Sequence, residues 1–398
     1  MLSPPRRPHL ALLIAITGLG PLALNILVPS MPGLQREFAC GYDTIQLALS
    51  LFLMGFAIAQ LVYGPASDYF GRRPVLLVGL GIFLVGTTLC ALSTNVELLV
   101  AGRILQALGG CAGVVMGRAM VRDHYGKEKA VSALAYVTMA MVIAPMLAPT
   151  IGGFLDTWMG WRAGFIFVLC CGGIVLAAII FFLSETYTGE KEKSYSAAYV
   201  VSLVRLLRMP SFCGYAFNVG FTSSVFFAFL GGSPYIMVEL LGRPTSEFGL
   251  YFIVVSGFYM SGNWLAGRYS IVLGANFMIT LGCFLAVIAC ASLYGVTIYG
   301  LLSPGIMFSA MGVIALGNGL SMPNGISAGV SADSRYIGAA SGLIGFLQMT
   351  IGAGTSFLVG SLVSESATPM AVVMLSASVL AAVAFGIAVR SRYNANSI

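Results

Sequence analysis

Asp68 and Arg72 stand four positions apart in the stretch Gly64-Pro-Ala-Ser-Asp68-Tyr-Phe-Gly71-Arg72-Arg73. A carboxylate and a guanidinium within reach form a charge-assisted pair, and a short charged staple of this kind suits a joint that opens and recloses. Asp68 can also accept helix-end N–H groups, Gly64 and Gly71 permit tight backbone geometry, and Asp123 is a further partner for Arg72. Arg103 is a different kind of cation, because it sits inside an apolar run. An arginine in a membrane costs at least about 2.5 kcal/mol on insertion scales, so it reads as functional, against the plainer reading of a guanidinium satisfied by backbone carbonyls. Glu97 lies six positions away and points to a different helical face, which makes it a poor partner. Hydrolytic or transfer chemistry has no equipment here. There is no His-Glu-x-x-His, no phosphate-binding glycine loop with lysine and no pair of intramembrane carboxylates, and the only histidines are His9 and His124. The chain reads as no enzyme. Its eight cysteines show neither metal-ligand spacing nor a disulfide framework and read as small hydrophobes between helices.

The elements that position these residues follow from composition. Hydrophobic residues are 58% and charged residues 9% of the 398, with mean hydropathy +0.94. A soluble domain carries about 25% charge, so this chain lacks the polar surface to face water and reads as an all-α integral membrane protein. The runs on either side of Gly64–Arg73, from about Thr44 to Tyr63 and from Pro74 to about Ser93, are each roughly 20 residues, enough to cross a hydrocarbon core. The ten-residue stretch is then a short loop. A charged lead with Arg6 and Arg7 resembles a secretory signal, but the following run is too long and too broken by Pro21, Asn25 and Pro29 for one. Further apolar segments begin near Thr44, Pro74, Leu98, Val131, Ala163, Ser211, Phe248, Ala275, Tyr299, Gly338 and Pro369, which gives about twelve spans. Of the 20 lysines and arginines, only Arg36, Arg162 and Arg243 fall on the side opposite the N-terminus, and Arg103 is left within a span. The positive-inside bias therefore places both termini in the cytoplasm, and the net charge of +6 is a topology signal.

The polar stretch from Ser184 to about Met209 divides the chain. Residues 1–184 form one six-helix half, 185–209 a cytoplasmic linker whose Val200–Arg208 part is an interfacial amphipathic segment, and 210–398 a second six-helix half. A weaker echo of the staple, Gly262-Asn-Trp-Leu-Ala-Gly267-Arg268, follows the eighth span. Two repeats about a midplane site are a common transporter plan.

Four motifs together resemble the major facilitator superfamily. Gly64-Pro-Ala-Ser-Asp68-Tyr-Phe-Gly71-Arg72-Arg73 looks like its loop signature and Arg103-Ile-Leu-Gln106-Ala-Leu-Gly109-Gly110 like its fourth-span arginine motif. Ala144-Pro145-Met-Leu-Ala148-Pro149-Thr-Ile-Gly152-Gly153 resembles the fifth-span antiporter motif, with alanine where that motif has glycine. Pro21-Leu-Ala-Leu-Asn25-Ile-Leu-Val-Pro29-Ser-Met-Pro32 is similar to the first span of the Bcr/CflA drug-resistance branch. The likeness extends through Gly117-Arg118-Ala-Met-Val-Arg122-Asp123, Gly338-Ala-Ala-Ser341-Gly342 and Gln348. It implies the major facilitator fold with two pseudo-symmetric six-helix halves. Asp68, Gly71, Arg72 and Asp123 would gate conformational change, and Asn25, Arg103, Gln106 and Gln348 would serve the cavity, substrate or coupling.

One departure bears on coupling. The branch has an aspartate in its first span where this chain has Asn25, an amide that does not titrate. By these span boundaries none of the 14 acids lies in the hydrocarbon core; Asp43 and Asp156 are nearest. Gly109, Gly113 and Gly117 read as close helix packing, and Pro145 and Pro149 as a loosened span. Tyr136, Phe217, Phe226, Phe229, Tyr235, Tyr251 and Tyr259 are aromatic candidates for a cavity wall. The resemblance implies multidrug export by proton antiport in a bacterial inner membrane. The proton gradient is the energy source, with no bound cofactor and no metal. A small amphipathic substrate and the bilayer are the expected partners of a monomer that binds no nucleic acid. The alternatives are a single-metabolite exporter or uptake system with altered coupling, and a non-transport receptor or scaffold.

Overall fold

The computed structural model describes residues 9–186 and 197–396, with side chains other than those of 122, 124–142, 197–198, 334 and 393–396. Lipid offers the backbone no hydrogen-bond partner, so a chain this apolar satisfies its amides within helices. The described residues contain no strand. The helices are α1 (Leu10–Ile26), α2 (Met31–Glu37), α3 (Tyr42–Phe70), α4 (Arg72–Ala91), α5 (Val96–Met159), α6 (Arg162–Phe182) and α7 (Ala197–Leu207). They continue as α8 (Pro210–Tyr235), α9 (Thr245–Leu273), α10 (Ala275–Ile298), α11 (Pro304–Val330), α12 (Ile337–Leu362) and α13 (Thr368–Asn396). Among the described residues 10 helical stretches are long and apolar enough to cross a bilayer. The two further spans expected from sequence are the second part of α5, where many side chains are undescribed, and α9, which carries Glu247, Asn263 and Arg268 along its length.

Burial runs opposite to that of a water-soluble protein. In α6 only 28% of the most apolar window is buried, with Ile174, Phe181 and Phe182 outward, whereas the Pro210–Leu240 stretch, carrying Asn218, Thr222, Ser223 and Ser233, is 78% buried. Apolar groups face outward because the surrounding solvent is hydrocarbon.

Three sequence expectations need correction. The stretch from Gly64 to Arg73 is not a ten-residue loop: α3 stays helical to Phe70, and only Gly71, at φ 97° and ψ 156°, separates it from α4. That left-handed backbone suits glycine alone. The expected break near 118–130 is absent, and the backbone of α5 is helical through all 64 residues. Between Val121 and Ala144 there is no proline, and Gly126 is the only glycine, so nothing in the sequence breaks the helix. The Gly262–Arg268 echo lies inside α9, where a Cβ at Gly262 would collide with the Leu316 carbonyl of α11. The true counterpart of Gly71 is Gly274, at φ 86° and ψ 145°, which separates α9 from α10 in the same way.

The chain forms two compact units, 1–40 with 51–195, and 41–50 with 196–398. In the first, the small residues of α5 seat its neighbours. A Cβ at Gly109 would strike the α4 backbone at Phe83, and one at Gly113 the α1 carbonyl of Ile16, so close packing is the role the structure displays for this glycine series. In the second, α7 buries Leu206 against Phe212, Ala216, Ala340 and Leu343 while Val200, Val204 and Leu207 stay exposed. Its Arg205 donates to the Tyr336 hydroxyl at 2.8 Å. The charged part of the linker from 187 to 196, and Tyr136, lie outside the described residues or side chains.

Candidate functional site

At one end of the first unit Arg72 gathers groups from three parts of the chain. Its Nη1 meets Asp68 Oδ1 at 2.6 Å, one turn earlier across the Gly71 break, and its Nε donates to Asp123 Oδ2 on α5 at 2.9 Å. Nη1 also donates to the Ser67 hydroxyl. The Arg72 side chain is 10% exposed against 44% for Asp68 and 24% for Asp123, so the cation is sheltered and its acids face water. Such a pair forms and breaks without burying a naked carboxylate.

Glu185 is the component that sequence reading missed. Its Oε1 accepts from the backbone N–H of Arg72 at 3.0 Å and its Oε2 from that of Arg73 at 3.1 Å. The Arg73 guanidinium donates to the Ile180 carbonyl at 3.1 Å. The sequence expectation that Asp68 accepts the helix-end N–H groups is corrected: Glu185 takes that place, from beyond the end of α6. A carboxylate at a helix N-terminus satisfies orphan amides and meets the positive end of the dipole. Gly71 is required by its φ, and a Cβ there would stand 2.7 Å from Glu185 Oε2 and push that carboxylate aside. The sequence signal was present, an acid directly after the apolar run of α6, but without the fold it reads as the start of a charged linker.

Deeper in the same unit lies Arg103, fully buried. Nη1 donates to the Ala23 carbonyl at 2.7 Å and to Gln106 Oε1 at 2.6 Å, Nη2 to the Leu24 carbonyl at 3.3 Å, and the guanidinium sits 4.2 Å from the centre of the Phe52 ring. Gln106 in turn donates to Thr87 Oγ1 on α4 at 2.9 Å. The carbonyls of Ala23 and Leu24 are available because they lie in the last turn of α1, whose final carbonyls have no intrahelical donor, and the N–H of Leu27 turns to the Asn25 carbonyl instead. These partners solvate the guanidinium without cancelling its charge. Asn25 adjoins this network in sequence. Its Nδ2 donates to the Pro21 carbonyl at 2.9 Å, while its Oδ1 is buried with no partner. Among the described residues no Asp or Glu is fully buried.

The remaining sequence candidates distribute as follows. Ala148, Pro149, Gly152 and Gly153 are buried on α5 and Ala144 and Pro145 half-buried; α5 continues through both prolines. A Cβ at Gly152 would collide with the Ile26 carbonyl of α1, so this motif seats α5 against the end of α1. Gln348 is half-buried on α12 in the second unit. Phe226 and Phe229 pack against Phe252 and Phe308, and Tyr251 stacks on Phe308, which makes these rings part of the α8, α9 and α11 packing. Polar groups that sequence reading passed over include Asn218, whose Nδ2 donates to the Ala381 carbonyl at 2.9 Å, and Asn318, whose Nδ2 donates to the Thr222 carbonyl at 3.3 Å. Within the second unit Gln46 donates to the Gly231 carbonyl at 2.5 Å and accepts from Ser356 Oγ at 3.4 Å.

Comparison with known proteins finds relatives along most of the chain. The family model described as Major Facilitator Superfamily matches residues 13–356. An uncharacterized MFS-type transporter, YdgK, of Bacillus subtilis (strain 168) is 30% identical over 383 residues, covering 95% of this chain and 94% of the relative. A bicyclomycin resistance protein homolog of Haemophilus influenzae is 26% identical over 371 residues, covering 92% of each. Multidrug resistance protein D of Escherichia coli (strain K12) is 28% identical over 354 residues, covering 87% of this chain and 86% of its own. Among solved structures, a peptide transporter POT superposes with a TM-score of 0.77 at 15% identity, covering 97% of this chain and 96% of that one; it speaks to the fold.

Proposed function

This chain belongs to the Major Facilitator Superfamily, and we propose that it exports small amphipathic compounds across the bacterial inner membrane by alternating access, driven by proton entry. The reading rests on the Arg72 clasp. Asp68 and Asp123 hold one guanidinium and Glu185 holds the helix start beside it. Exposed ion pairs contribute about 0–1 kcal/mol each and partly sheltered ones more, so the clasp totals a few kcal/mol. That biases a conformational equilibrium strongly and still lets each transport cycle reverse it. Relatives named for bicyclomycin and multidrug resistance support drug-like substrates. Both termini are proposed to be cytoplasmic, from the distribution of arginine and lysine.

The described spans bury a guanidinium and no carboxylate. In a low-dielectric interior that balance disfavours lipophilic cations and favours neutral or anionic compounds. Asn25, with its buried and unpartnered Oδ1, supports a second reading, a single-metabolite transporter with altered coupling. Proteoliposomes separate the two. A broad set of neutral and anionic dyes moving in response to an imposed pH gradient supports multidrug antiport. Movement of one metabolite alone, independent of pH, supports the second reading.

A further inference from the structure

In the first unit the start of α4 and the end of α6 are joined by an internal anion, the Glu185 carboxylate on the amides of Arg72 and Arg73. The second unit repeats the local plan. Gly274 breaks the backbone before α10 as Gly71 does before α4, and Gly267 precedes Gly274 at the spacing at which Gly64 precedes Gly71. No carboxylate among the described residues fills the corresponding place between the start of α10 and the end of α13. A groove of about 510 Å³ lies there, lined by Asn276, Thr280, Phe385, Gly386, Val389 and Arg390. Where the first unit supplies an anion, the second supplies a cation.

The walls of the groove divide by chemistry. Tyr215 donates its hydroxyl to Asn276 Oδ1 at 3.2 Å, so the group Asn276 has left to offer is its NH2. Arg390 is exposed, and Arg392 stands 5.4 Å from the centre of the Tyr215 ring. Phe385 and Val389 make the other wall apolar, and a Cβ built at Gly386 meets nothing within 4 Å, which leaves an open floor. Arg205, Arg208, Arg268, Arg335, Arg390 and Arg392 all lie at this end of the unit, and the one carboxylate among the described residues there, Asp333, is already held by Arg335 at 2.8 Å. The surface is thus positive and unmatched within the unit, and it stands at the end of membrane spans beside outward apolar side chains. We propose that this groove between α10 and α13 binds an anionic phospholipid, its phosphodiester on Arg390 and the Asn276 amide and its acyl chain along Phe385, Gly386 and Val389. Arginine suits a phosphate because its planar donors meet two oxygens at once, and a basic pocket between spans on the cytoplasmic side is a place where anionic headgroups collect.

Native mass spectrometry on the full chain in a mild detergent tests this, with dioleoyl phosphatidylglycerol, dioleoyl phosphatidylcholine and inorganic phosphate as probes. The parent should bind the phosphatidylglycerol about fivefold more tightly than the phosphatidylcholine, the advantage of one cation near the headgroup. Arg390→Gln should remove that advantage and Arg390→Lys should keep most of it. Gly386→Leu leaves every charge in place and fills the floor, and it should weaken both lipids. Arg268→Gln, at the same end but outside the groove, should change nothing. Equal phosphatidylglycerol binding in the parent, Arg390→Gln and Gly386→Leu would mean annular lipid and overturn the proposal. An Arg390-dependent adduct with inorganic phosphate that blocks the lipid would overturn it in favour of a free-anion site. Because Arg390→Lys and Gly386→Leu each test the groove separately, failure of Arg390→Gln to fold leaves the proposal open to refutation.

Discussion

Replacing Glu185 with alanine isolates the part of the clasp that holds backbone. The carboxylate accepts from the amides of Arg72 at 3.0 Å and Arg73 at 3.1 Å, two of the donors that a helix start otherwise leaves to water. A capping acceptor contributes about 1 kcal/mol and a hydrogen bond to a charged group about 1.5–3 kcal/mol. Glu185 is itself exposed, and solvent screening brings the sum for both contacts down to about 1.4 kcal/mol. Local opening of the first turn of α4 should therefore become about tenfold more frequent, since 1.4 kcal/mol is tenfold in an equilibrium constant. Glu185→Gln keeps one neutral acceptor oxygen and should lose about half the energy, a change of roughly threefold. Hydrogen exchange followed by mass spectrometry reads this directly in the peptide spanning residues 70–76. The acceleration should be confined to that peptide, with the interior of α4 around Phe83 unchanged. Unchanged exchange at Arg72 and Arg73, or equal acceleration along the whole of α4, would refute the claim that Glu185 acts as a local cap.

Arg72→Ala frees Asp68 and Asp123 together and should lower turnover about tenfold, a loss near 1.4 kcal/mol of conformational bias. Substrate binding measured by fluorescence quenching should stay within about twofold, and lost binding with normal turnover would place Arg72 in the cavity instead. Arg103→Ala strands the Ala23 and Leu24 carbonyls and Gln106, so thermal unfolding should report a loss of about 2–3 kcal/mol. Transport of anionic dyes should fall more than that of neutral ones, with Arg103→Lys recovering only part because an ammonium cannot span the same carbonyls. Asn25→Asp puts a titratable group where the buried Oδ1 has no partner; it should shift the dye profile toward cations and steepen the pH dependence of transport. Reporter fusions after Ile398 and at Met209 should both signal cytoplasm, and a periplasmic signal from either would overturn the topology.

Much of this architecture was legible in the amino-acid order because a bilayer imposes a simple rule, an apolar stretch of fixed length bounded by arginine and lysine. The pairing of Asp68 with Arg72 and the packing role of Gly109, Gly113 and Gly117 follow from short-range spacing, which sequence carries. What escaped reading depends on contacts between distant residues. Glu185 reaches Arg72 across 113 positions, and nothing near Glu185 announces a helix start to cap. The satisfaction of Arg103 by Ala23 and Leu24 was legible as a type, backbone carbonyls, but not as particular residues, because backbone acceptors have no sequence signature. Gly274 has no charged residue beside it to mark the break, whereas Gly262 and Arg268 imitate the staple from within the α9 helix.

The most direct measurement is dye movement in proteoliposomes carrying the purified protein, with a pH gradient imposed and then collapsed by an ionophore, in the parent and in Arg72→Ala. A proton-coupled exporter with an arginine clasp accumulates a neutral or anionic amphipathic dye against its gradient and loses it when the pH difference is removed. It also shows substrate-dependent counterflow, and does all of this about tenfold more slowly without Arg72. Accumulation that ignores the pH gradient, or a chain that binds dye and shows no counterflow, would contradict the account.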